Sequence, residues 1–119
     1  SGIVEQDGII LHSHTARTSD GDTKVAAVDN GVATTGGSAY LQVSALTLGG
    51  HTNAVVKILH SDDGEAWDEL TAFTALTVAP SKERKIVAGE VKRYLAVSWE
   101  FTGEGEDPEI KFFAGFQRS

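Results

Sequence analysis

The sequence contains no cysteine and no methionine, and only two prolines interrupt its 119 residues. Without cysteine, disulfides, thiol nucleophiles and thiolate metal sites are all excluded, so packing or partner chains must stabilise the fold. The sequence also lacks the run of about 20 apolar residues that a membrane helix needs, and its start lacks the basic and apolar regions of a signal peptide. We therefore expect one soluble domain that has no membrane partner.

Basic residues are in the minority. The sequence has ten lysines and arginines and 17 acidic residues, which gives a formal charge of −7. Such a charge repels polyphosphate and anionic lipid, so nucleic acid and membrane surfaces are not expected partners. The single basic cluster, Lys82, Arg84 and Lys85, is interrupted by Glu83 and has no neighbouring aromatic residue in the sequence. We interpret it as the solvated face of a strand.

Apolar and polar residues alternate at period two, which is typical of half-buried β-strands. In residues 94–101 the residues of one face are Leu95, Val97, Trp99 and Phe101. Residues 110–117 repeat the pattern with Ile110, Phe112, Ala114 and Phe116. Because Gly, Asp and Pro between them favour a turn, we expect a C-terminal β-hairpin.

Further short strands are predicted in residues 23–28, 38–46, 54–61, 69–73 and 84–89. Only residues 65–76 are ambiguous, because they also fit helical spacing. Turn-forming residues recur about every 8–12 residues, as in a sandwich or barrel. We therefore predict an all-β fold for residues 23–119, an antiparallel β-sandwich or jelly roll of about seven to nine strands.

Residues 1–22 are more polar and lack sustained alternation, so we predict an N-terminal arm or an edge strand. A frayed terminus and a segment that is ordered only against a neighbouring subunit are the alternatives. Its apolar patch consists of Ile9, Ile10 and Leu11.

An acidic stretch, HSDDGEAWDEL, begins at His60 and fits the pattern S-x-D-G-x-x-W. A serine or aspartate can bond the backbone two residues further on, glycine permits positive φ, and an indole ring can clamp the loop. We predict a structural turn formed by Ser61, Asp63, Gly64 and Trp67. A calcium site is the alternative, although the EF-hand spacing is not met; its ligands would be Asp62, Asp63, Glu65 and Asp68.

Catalytic machinery is not evident. The sequence has no G-x-S-x-G motif, no glycine-rich phosphate loop and no sequence-adjacent triad at its histidines. His12 and His14 are two apart, so on one strand they would share a face and could hold a metal, but a third ligand is not evident nearby. We expect no enzyme, no catalytic residue, no metal and no cofactor. Tyr94 and Phe113 fall on the side of their strands opposite the core, so they are candidates for a second packed layer, a subunit contact or an aromatic ligand platform.

Residues 56–118 resemble small structural proteins encoded in tailed-phage virion gene clusters. The similar elements are H-S-x-D-G-x-x-W, F-T-A, R-x-x-V-x-G-x-V-x-R-Y, V-x-W and F-x-x-x-F-x-R, at residues 60–67, 73–75, 84–94, 97–99 and 112–118. Discoidin-like carbohydrate-binding sandwiches share the first of these turns and an R-Y-x-x-V strand.

The phage resemblance implies a head decoration (cement) protein on the virion surface. Its partners would be the major capsid protein and further copies of itself, as a homotrimer. Ile9, Ile10 and Leu11 would then be the anchors by which the N-terminal arm docks on the capsid or on neighbouring subunits. Deleting residues 1–18 would abolish docking and leave a folded core. A tail-tube or tail-accessory protein is one alternative, and a carbohydrate-binding module is another.

Overall fold

The structure, a computed structural model, describes residues 8–119 and shows a β-sandwich. The strands are β1 (Gly8–Arg17), β2 (Gly21–Asp22), β3 (Val28–Asp29), β4 (Thr34–Thr47), β5 (Asn53–Ser61), β6 (Asp68–Ala72), β7 (Ser81–Val91), β8 (Tyr94–Thr102) and β9 (Glu109–Arg118). A 3-10 turn, Lys24–Ala26, lies between β2 and β3.

Two antiparallel sheets form the sandwich. The four-stranded sheet has the order β1-β9-β4-β7, and the five-stranded sheet has the order β2-β8-β5-β6, with β3 also paired to β8. The predicted all-β class and antiparallel sandwich are confirmed. The nine strands seen in residues 8–119 fall within the predicted number, and residues 68–72 are a strand rather than a helix.

The predicted C-terminal hairpin is wrong, because β8 pairs in the five-stranded sheet and β9 in the four-stranded sheet. Two connections that pass between the sheets pack together at one end of the sandwich. The Glu106 N–H donates to the Gly49 carbonyl at 2.8 Å. Gly49 has φ +60°, and a Cβ there would overlap the Glu106 carbonyl. Within residues 8–119, β5 and β6 are the only consecutive strands that pair.

The N-terminal segment belongs to the sandwich. Residues 8–17 form β1, which pairs with β9 at the edge of the four-stranded sheet. An arm and an edge strand were the two predictions for residues 1–22, and residues 8–17 form the edge strand. The first seven residues of the predicted arm lie outside the described residues. Register shifts after Ile10 turn both Leu11 and His12 toward the interior.

Apolar side chains, which alternate with polar ones along the long strands, fill the space between the sheets. The core residues from β4 and β9 pack against those from β5 and β8, as the period-two pattern predicts. The largest fully buried side chains include Leu41, Ile58, Leu95, Ile110, Phe112 and Phe116. Residues between them in sequence point to the two outer sides of the sandwich, where a partner can reach them.

Candidate docking surface

The three predicted anchors on β1 have different environments. Leu11 is 7% exposed and belongs to the core, whereas Ile9 is half-buried against it. Ile10 is 62% exposed. Leu11 is thus a core residue rather than a docking anchor, because the edge strand is packed onto the sandwich. Only Ile10 presents a large apolar surface to a partner.

Tyr94 and Phe113 do not form one platform, because they lie on different sheets. Tyr94 lies beneath the turn at Gly64, and the Arg93 guanidinium carbon is 4.9 Å from the centre of its ring. Phe113 lies on β9 and lines a groove together with Tyr40. The two aromatic side chains therefore serve separate surfaces.

The solvent-facing side of the four-stranded sheet, here called the outer face, brings Phe113 and Ile10 together. Strand register sets its side chains in three rows. The first row consists of Phe113, Gln42 and Lys82. The second consists of Ile10, Gly115, Tyr40 and Arg84, and the third of Gln117, Ser38 and Ile86. Ile86 is 70% exposed, so both margins of this face are apolar.

A glycine makes room for the aromatic part of the outer face. Gly115 has no side chain, and a Cβ there would lie 3.2 Å from the Phe113 ring. The Phe113 ring therefore occupies the space between Ile10 and Tyr40. The Tyr40 hydroxyl donates to Gln117 Oε1 at 3.3 Å, and the Arg84 guanidinium carbon lies 5.7 Å from the Tyr40 ring centre. The result is an apolar strip beside a groove of about 550 Å³.

The outer face carries cations but no carboxylate in these three rows. Lys82 and Arg84 extend from β7, and alternation places Lys111 on the same side of β9, together with Glu109 two residues before it. Glu83 also borders the groove, but its carboxylate accepts hydrogen bonds from the Thr74 N–H (2.7 Å) and hydroxyl (2.9 Å). In a chain of charge −7, these three rows contain two cations and no carboxylate, so this part of the outer face is locally positive.

Sequence reasoning missed this combination. It assigned Lys82 and Arg84 to a solvated face without an aromatic neighbour, yet the register places Tyr40 directly opposite Arg84. The alternation in residues 38–46 already put Tyr40 on the non-core side of its strand. The missing information was the pairing partner, which alternation does not specify.

The predicted structural turn joins β5 to β6. Ser61 Oγ accepts hydrogen bonds from the N–H groups of Asp63 and Gly64, and Asp63 Oδ1 accepts from those of Glu65 and Ala66. Gly64 has φ +79°. Trp67 Nε1 donates to the Gly64 carbonyl at 3.2 Å. The indole closes the turn by this bond and is not part of the core.

The acidic side chains around this turn have other partners. Backbone N–H donors lower the pKa of Asp63, and the Lys92 ammonium, 2.8 Å from Asp68, lowers the pKa of that carboxyl. Lys92 also lies 3.8 Å from Asp62. Across residues 8–119, no group of three or more histidines and carboxylates is arranged to hold a metal ion.

His12 is the main buried polar residue on β1. Its ring stacks on Phe112 with centroids 3.8 Å apart. Arg17 Nε donates to Nε2 at 2.9 Å, and Nδ1 lies 3.0 Å from the Phe112 carbonyl. An arginine can only donate, so Nε2 is the acceptor and Nδ1 carries the proton. The contact with Arg17 therefore requires the neutral imidazole, and burial lowers its pKa from 6.5.

We predict that stability falls as the pH drops below 6.5. Burial lowers the pKa of His60 as well as that of His12, so below 6.5 the unfolded chain binds protons that the folded chain does not. The stabilisation is complete above 6.5 and is lost toward the folded-state values. Urea titrations at pH 7.5 and 5.5 test this. In H12Q, an amide can replace both hydrogen bonds without titrating, so its loss should be smaller; an equal loss in both proteins would contradict the assignment.

Comparisons with known proteins add little. No protein-family model matches the chain, and no curated protein is significantly similar to it. A solved structure of FlhE is similar to the chain with 10% sequence identity and a TM-score of 0.44, covering 95% of this chain and 94% of FlhE. A structural likeness that distant indicates neither a family nor a function. In the described part of the chain, no helix is long and apolar enough to cross a membrane.

Proposed function

We propose that the chain is a non-enzymatic virion structural protein of the head decoration type, which binds the capsid lattice through the outer face. The observation that supports docking is the apolar strip of Ile10, Phe113 and Tyr40 next to exposed cations. Tyrosine, phenylalanine and arginine are the residues that protein interfaces favour. The resemblance of residues 56–118 to tailed-phage virion proteins supports the choice of a capsid as partner.

A broad face suits a lattice better than a single exposed edge does. β7 is one of the two edge strands of the four-stranded sheet, and its inward positions include Glu83 and Lys85, whose Oε2 and Nζ atoms lie 3.7 Å apart. Inward charges on an edge strand disfavour the addition of another strand. Docking therefore uses side chains of the face, and several copies, as a homotrimer, add weak contacts through multivalency.

The double variant Y40S/F113S should lose at least about tenfold in affinity for capsids, because it removes the two central aromatic contacts. Co-sedimentation with purified procapsids and expanded capsids, together with a measured solution mass, provides the test. Y94S is the matched control, since it removes an aromatic side chain from the other sheet. The proposal fails if the chain binds neither particle, or if the double variant binds as well as the wild type.

A carbohydrate-binding module is the second candidate, and the groove between Tyr40 and Phe113 supports it. Two aromatic side chains with Gln42 nearby can stack on a sugar ring and bond its hydroxyl groups. A glycan array separates the two functions: a specific glycan that Y40S/F113S no longer binds, without capsid binding, would replace the proposal. Binding to tails rather than heads would favour the tail-accessory alternative.

A further inference from the structure

We infer that the outer face binds a broad, carboxylate-bearing surface on a protein other than this chain. This inference rests on the proposed function and specifies the partner's chemistry. It starts from charge: among residues 8–119, neither Lys82 nor Arg84 has a carboxylate within ion-pair distance, whereas Lys92 and Arg93 do. Within residues 8–119, the Arg84 guanidinium donates to the Ser38 hydroxyl at 3.4 Å and lies over the Tyr40 ring.

These two cations can become strong contacts on docking. Lys82 and Arg84 are exposed in the free chain, and they stand beside the apolar strip. A partner that covers Tyr40 and Phe113 excludes water from their neighbourhood, which strengthens the attraction of a cation for an opposed carboxylate. A partner without carboxylates would leave both charges desolvated and unpaired, which is unfavourable.

A second copy of this chain is a poor occupant. A two-fold contact between two outer faces would set Lys82 and Arg84 against the same cations. The acidic residues of another copy that remain unpaired in the described part include Glu104, Glu106 and Asp107, on the six-residue β8–β9 connection. Such a loop tip is small beside the roughly 800 Å² per partner that a stable interface buries. The like charges of two opposed outer faces and the small size of this loop tip both favour a different protein as the occupant.

The test compares two double charge reversals with the same net charge. K82E/R84E changes the outer face, whereas K24E/K57E changes the 3-10 turn and the five-stranded sheet. Each moves the formal charge from −7 to −11, so both variants suffer the same long-range repulsion from an acidic partner. Unfolding curves confirm that each variant is folded. Binding is measured with expanded capsids and, independently, by NMR titration of the labelled chain with poly-L-glutamate.

We expect K82E/R84E to bind capsids at least about tenfold more weakly than K24E/K57E. Poly-L-glutamate should shift outer-face signals of the wild type and of K24E/K57E, but not those of K82E/R84E. The inference is overturned if the two variants bind alike, if poly-L-glutamate leaves the face unperturbed, if only polygalacturonate or heparin binds there, or if the face mediates self-association.

The two proposals can fail separately. If the wild type ignores capsids yet poly-L-glutamate shifts the outer face, the virion function fails and the acidic-partner inference stands. If the wild type binds capsids and neither charge reversal matters, the partner chemistry is wrong and the virion function stands.

Discussion

Replacing Phe112 by alanine should destabilise the protein by about 3–5 kcal/mol, the usual loss for a large buried aromatic side chain. Phe112 is 0% exposed. One side of its ring stacks on His12, and the Trp99 ring meets it edge-on with centroids 5.7 Å apart. The cavity left in F112A would therefore lie between the two sheets. The substitution would also remove the ring on which the buried His12 imidazole stacks.

The neighbouring residue supplies the control. Phe113 has the same side chain but lies on the outer face, half-buried over Gly115. F113A should cost about 1 kcal/mol or less, because most of the lost contact is with solvent-accessible groups. Its main effect should be weaker docking. Urea unfolding of the two variants gives the comparison; equal losses of stability would show that the sandwich does not assign these residues to opposite sides.

Which residues point inward could be predicted from the sequence for much of the sandwich. The inward residues predicted for 94–101 and 110–117 all lie in the core. Alternation succeeds there because each of these strands buries one face against the other sheet. Which strands pair was not predictable, because every loop between long strands except the β5–β6 turn crosses between the sheets. Period-two patterns are the same in a hairpin and in a crossing connection.

The candidate site was predicted only in pieces. Ile10 and Phe113 were singled out separately, and their proximity depends on the pairing of β1 with β9. Tyr40 was not singled out from the sequence, and its place beside Arg84 depends on the register of β4 with β7. These contacts are long-range in sequence, so local propensity carries no information about them.

Deleting residues 1–18 should abolish the fold rather than release a docking arm. The deletion removes all of β1, and with it the buried Leu11 and the His12 ring that covers Phe112. Arg17, whose guanidinium carbon lies 4.7 Å from the Trp99 ring centre, is lost as well. β9, which is now an inner strand of the four-stranded sheet, would become an edge strand. Together these losses remove a large part of the roughly 5–15 kcal/mol that stabilises a typical domain.

Circular dichroism and a thermal scan would show whether the truncated chain unfolds cooperatively, and we expect that it does not. I10S is the control, because Ile10 is on the same strand but faces solvent: this variant should remain folded and lose capsid affinity. A truncated chain that folds and fails to bind capsids would instead make β1 the separable arm that the sequence suggested. The truncated chain should also aggregate, since an uncovered edge strand pairs readily with other chains. A truncated chain that does not fold would show that β1 is an edge strand that stabilises the outer face, whereas one that folds without binding would show an arm that docks by itself.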